Sequence, residues 1–198
     1  MKKVLYIILI LVVIALIIPA LMPNDFTVER QVNISRPVDV VFPMLKSLKT
    51  HNNWSVWASM DPDMKQEFRG TDGTVGFVSA WEGNDDVGKG EQEITAIIEN
   101  QRIDFELRFI KPWEATNQVY LITDQLKDNA TSVRWGLTGS MPYPMNAMML
   151  FYNMEDEIGN DFDKGLQNLK NLIESMPMPE IIEPEINDNL VNTSDTIQ

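Results

Sequence analysis

Residues 144–176 read PMNAMMLFYNMEDEIGNDFDKGLQNLKNLIESM, and their apolar positions return at helical spacing. Met145, Met149, Tyr152, Gly159, Phe162, Leu166, Leu169 and Ile173 recur mostly at three- and four-residue steps, which is the pattern of one buried helix face. Glu155 and Asp156 interrupt that stripe midway. Asp161, Asp163, Lys164, Lys170 and Glu174 fall on or near the opposite face. The spacing predicts one long helix from about Pro144 to Met176. A single helix with one long apolar face needs a second layer to cover it.

The preceding sequence supplies that layer. Strand-like stretches run over Lys65–Arg69, Val75–Glu82, Gly88–Glu99, Arg102–Ile110, Ala115–Leu126 and Ser132–Ser140. Gly70–Gly73, Gly83–Asp86, Glu99–Gln101 and Lys127–Asn129 separate them as turns, and connections this short pair neighbouring strands antiparallel. An earlier strand, Phe26–Ile34, alternates Phe26, Val28, Val32 and Ile34 with Glu29, Gln31 and Asn33. Ser35–Pro37 then opens a short helix through Val40, Val41, Met44, Leu45 and Leu48, and a loop over Thr50–Pro62 carries Trp54 and Trp57. Gly88 and Gly90 read as a bend where the sheet curls. The expected fold is α+β, a curved antiparallel sheet wrapped around the C-terminal helix.

Several strings resemble the START-like, polyketide cyclase (SRPBCC) superfamily. They are FTVERQVNISRPVDVVFPML (26–45), HNNWSVWASMDPDMKQEFRG (51–70), VGFVSAWEGNDDVGKGEQEI (75–94), TSVRWGLTG (131–139) and FDKGLQNLKNLIE (162–174). The resemblance implies a helix-grip fold with a cavity between the sheet and the final helix. It does not imply a reaction, because one fold hosts both binding proteins and enzymes.

Before this domain, Val4 to Met22 form an almost unbroken apolar run behind Lys2 and Lys3. As a helix it spans roughly 28 Å, near the ~30 Å thickness of a bilayer's hydrocarbon core. It exceeds the ~7–15 residue core of a cleavable signal, and no A-x-A-like site follows it. Residues 1–23 therefore read as an uncleaved transmembrane anchor, the rival being a cleaved signal. Lys2 and Lys3 favour a cytoplasmic N-terminus, which puts residues 24–175 in the periplasm or cell exterior. Residues 176–198, with three prolines and no positive charge, read as a disordered acidic tail.

Charge and composition narrow the chemistry. The 198 residues carry a net charge of −13, which disfavours nucleic acid and anionic lipid headgroups as direct partners. Cysteine is absent, so thiolate catalysis and Cys-based metal sites are excluded. His51 is the single histidine; it precludes a multi-histidine metal site, and within His51-Asn52-Asn53 it reads as part of a polar surface loop. Glu155 or Asp156 can project into a cavity as an acid or base, or pair with Arg134 or Lys111 on the surface, which is the favoured reading. No catalytic set, metal or cofactor is expected.

Five tryptophans and a run of methionines around residues 141–154 suit a pocket for varied apolar ligands, although such residues equally fill cores. The expected cavity residues are Trp54, Trp57, Trp81, Phe105, Phe109, Trp135, Met148, Tyr152 and Phe162. The functional expectation is a monomeric, membrane-tethered module that binds a small hydrophobic molecule or lipid. The alternative is a polyketide cyclase or dehydratase-like enzyme acting in the same cavity.

Overall fold

The computed structural model describes residues 2–127 and 129–177. All but the first two residues of the expected acidic tail lie outside them. The chain begins with α1 (Lys2–Ala20), a helix long and apolar enough to cross a membrane. Then follow β1 (Asp25–Ile34), α2 (Val38–Lys46), α3 (Leu48–His51) and α4 (Trp57–Met60). The meander is β2 (Lys65–Arg69), β3 (Val78–Glu82), β4 (Lys89–Ile98), β5 (Arg102–Lys111), β6 (Ala115–Gln125) and β7 (Thr131–Ser140). A 3-10 turn (Met145–Leu150) and α5 (Met154–Ser175) complete it.

All seven strands form one antiparallel sheet in the order β1-β7-β6-β5-β4-β3-β2. The first strand closes against the last, with Asp25 opposite Ser140 and Ile34 opposite Thr131. Period-two alternation sets the faces. Ile103 and Phe105 of β5, Val119 and Leu121 of β6, and Val133, Trp135 and Leu137 of β7 are buried in one core between the sheet and the helices packed on it. The other face is charged: Arg108 bonds Glu91, Glu93 and Glu106, and Glu91 also takes Arg69. The β4–β5 register shifts between Lys89 and Gly90, where Gly88 has φ +63°, so the glycines do mark a bulge that bends the sheet.

The closing helix is shorter than its apolar spacing suggests. Asn153 ends the apparent continuity: its side chain accepts the Glu155 N–H at 3.1 Å, capping a helix whose first turn carries Glu155, Asp156 and Glu157. An Asn cap followed by acids matches the positive end of the helix dipole, a local signal stronger than the upstream periodicity. Gly159, Phe162, Leu166, Leu169 and Ile173 are buried as expected, whereas Met145 and Tyr152 are exposed.

Two contacts explain the small residues on α5. Arg30 shares the inward parity of β1 and reaches over Gly159 to bond Glu155 at 2.5 Å and Asp163 at 3.1 Å. At Gly165, a Cβ would stand 2.9 Å from the Trp135 ring. Gly165→Ala should therefore overpack this contact and cost about 1–3 kcal/mol, against the usual gain from removing a helical glycine. Chemical denaturation measures it, and a more stable variant would show that the ring yields freely.

Candidate functional site

A cavity of about 310 Å³ lies between the concave face of the sheet and α5. Its back wall comes from inward-facing positions of β5 and β7, with Leu107, Phe109, Trp135 and Leu137; α5 adds Ile158 and Phe162. Trp135 and Phe162 stack at 4.1 Å and 6°. Trp57 from α4 meets both edge-on, at 5.7 Å from Trp135 and 6.1 Å from Phe162. Across the cavity, Trp81 stands edge-on to Phe109 at 5.9 Å. The indole N–H of Trp81 donates to the Val87 carbonyl at 3.0 Å, which satisfies its polar atom and leaves the ring face apolar. Gly90 opposite it is necessary, because a Cβ there would overlap the Trp81 ring.

Five of the nine expected cavity residues thus line the one cavity: Trp57, Trp81, Phe109, Trp135 and Phe162. Trp54 and Phe105 stand behind that wall, both fully buried, with Trp54 edge-on to Trp135 at 5.1 Å. Met148 belongs to the 3-10 turn, and Tyr152 follows it, half exposed, in a separate groove beside Phe26. The break at Asn153 is the reason: the residues before it form a separate 3-10 turn outside α5, and Leu150, Phe151 and Tyr152 are exposed.

The wall also includes residues that the sequence reading did not select, among them Phe26, Asn117 and His51. Phe26 was visible in strand parity. His51 was read as a surface residue, and its position corrects that reading. Its ring packs 4.7 Å from Trp54 and 5.9 Å from Phe105, and its Nε2–H donates to the Leu45 carbonyl at 2.8 Å. Burial lowers its pKa from 6.5 to about 4, outweighing the upward pull of that carbonyl and of Asp72. The imidazole is therefore neutral at pH 7, with Nε2 protonated. At the wall's edge, Asn52 and Gln66 exchange amide hydrogen bonds of 2.7 and 2.9 Å.

The ionisable side chains on the wall are His51 and Asp86. Glu155 is held outside by Arg30, and Asp156 accepts from Asn153 at 2.7 Å, so neither enters the cavity. Arg134, offered as a partner for these acids, pairs with Asp124 instead. Among the described residues, no group of three His, Asp or Glu side chains is arranged to hold a metal ion.

No family model and no curated protein sequence matches this chain. Solved structures do. Norcoclaurine synthase from Thalictrum flavum, in complex with dopamine and hydroxybenzaldehyde, superposes with a TM-score of 0.59 at 8% identity, covering 82% of this chain and 94% of its own. The Aha1 protein from Colwellia psychrerythraea, described as a dimer, gives 0.52 at 15% identity over 76% of this chain and 97% of its own. Ara h 8.0201 gives 0.51 at 15% identity over 76% and 96%. The fold is the helix grip of these solved structures, a curved antiparallel sheet against a C-terminal helix. Identities this low carry the fold and not the activity, so function rests on the cavity itself.

Proposed function

We propose that this protein is a membrane-tethered module that binds a small hydrophobic molecule outside the cytoplasm. The observation that carries the reading is the aromatic cavity between sheet and α5, with its apolar back wall and few convergent polar groups. Its volume, about 310 Å³, stands at the lower end of ligand pockets and suits one ring system or one short acyl chain. The wall's imidazole gives its Nε2–H to the Leu45 carbonyl. Its lowered pKa of about 4 leaves the other nitrogen a weak base at pH 7, which favours binding over acid–base work. The solved relatives include an enzyme bound to two aromatic compounds, which agrees with aromatic ligands in this fold.

Tethering is supported by α1, whose aliphatic side chains are exposed along its length and which is long and apolar enough to cross a membrane. Lys2 and Lys3 at its start favour the orientation that exports the domain. Native mass spectrometry of the detergent-released protein should reveal a co-purifying apolar compound, lost on Trp135→Ala. In the same preparation, a periplasm-dependent reporter fused after Ser175 should be active, and the protein should stay in membranes after alkaline washing. Release by osmotic shock would overturn the anchor, and a ligand-free cavity that takes up no apolar probe would overturn the binding role.

A further inference from the structure

Outside α1, the most exposed aromatic side chains gather at one end of the domain. Phe151 is 84% exposed, Trp113 71%, Tyr152 55% and Tyr143 49%. Strand direction explains the grouping. β1 begins at Asp25 directly after the anchor, β7 ends beside it at Ser140, and the antiparallel order brings the β5–β6 hairpin tip, with Trp113, to the same end. Met145 and Leu150 of the 3-10 turn add exposed apolar surface there.

This end is clamped to α1. Asn146, fully buried, donates to the Pro19 carbonyl at 2.7 Å and to Asn24 Oδ1 at 2.9 Å. The Met141 N–H donates to the Asn24 carbonyl at 2.8 Å. These bonds place the 143–152 segment beside the last turn of the spanning helix, and the strand order brings Trp113 to the same end. Amphipathic rings at that end suit the headgroup level of a bilayer, where the ring is sheltered and its polar atom stays wet.

We infer that Tyr143–Tyr152 and the Trp113 tip form a seat that rests in the lipid headgroup layer and holds the domain against the membrane. The inference rests on the anchoring proposed above. Continuity with α1 decides the occupant in favour of lipid over a second copy. The seat also orients the cavity: Phe26, Phe109 and Asn117 on its wall lie at the strand ends nearest the seat, so an apolar ligand partitioned in the bilayer has a short path to it.

The native sequence lacks cysteine, so single cysteines report cleanly. Full-length protein in phosphatidylcholine vesicles with brominated acyl chains should be labelled with bimane at Leu11→Cys, Leu150→Cys, Glu114→Cys and, at the far end of the sheet, Gln101→Cys. Lipid bromines should quench the labels at positions 11, 150 and 114 and spare the label at 101. Adding Phe151→Glu and Trp113→Glu should abolish quenching at 150 and 114 while position 11 stays quenched. A quenched 11 with unquenched 150 and 114 overturns the seat and leaves the anchor standing. An unquenched 11 overturns the anchor instead. A label at 150 shielded from both bromines and aqueous iodide overturns the seat in favour of a copy-to-copy contact.

Discussion

Phe105→Ala should cost about 3–5 kcal/mol of stability and leave the cavity's affinity for an apolar probe nearly unchanged. Phe105 is fully buried on β5, between Ile94 and Val119 on the neighbouring strands, and stands behind the cavity wall. Its removal opens a void among residues that cannot collapse, and for a domain of this size the melting temperature should fall by about 10 °C or more. Phe109, two positions along the same strand face, gives the contrast. It is half-buried, lines the cavity and contacts Trp81, so Phe109→Ala removes less core packing and more ligand surface. Urea denaturation paired with titration of N-phenylnaphthylamine separates the two effects. If Phe105→Ala abolished probe binding while folded, or if Phe109→Ala left affinity untouched, the wall would be wrongly drawn.

That contrast also shows how far sequence reading goes. Strand alternation, a local rule, puts Ile103, Phe105, Leu107 and Phe109 of β5 on one face. It did not tell which of them meets a void and which meets packed side chains. That depends on height along the strand, on the bulge at Gly90, and on α3 and α4 folding over one part of the sheet. These are long-range facts. The strands themselves were legible to within a few residues, since turn chemistry and period-two alternation agree.

The C-terminal helix erred in the opposite way. Helical spacing continued upstream of Asn153, yet the Asn cap and the three acids after it formed a competing start signal. That continuity drew Tyr152 into the expected cavity, and the methionine-rich composition drew in Met148. The seat near the anchor is the place where they went. His51 was misjudged because its neighbours Asn52 and Asn53 are polar and exposed, whereas its own ring turns inward to the Leu45 carbonyl.

His51 makes stability depend on pH in a defined direction. Its folded pKa is about 4 against 6.5 in the unfolded chain, lowered by burial against Trp54 and Phe105. Between those values the unfolded chain binds more protons than the native state, so stability is lost as pH falls through the window. From pH 7 to pH 5 the loss attributable to this one group is about 2 kcal/mol. Carboxylates add their own dependence, but they are common to the wild type and to His51→Gln, whose amide can still donate to the Leu45 carbonyl. Urea denaturation at both pH values should therefore show a flatter response in the variant. Because the chain has a single histidine, its imidazole resonance can be followed directly, and titration near 6.5 in the folded protein would overturn the assignment. Protonation of the folded protein, which sets in only as the pH approaches 4, also places a cation on an apolar wall, so probe affinity of the folded wild type should decline there and hold in His51→Gln.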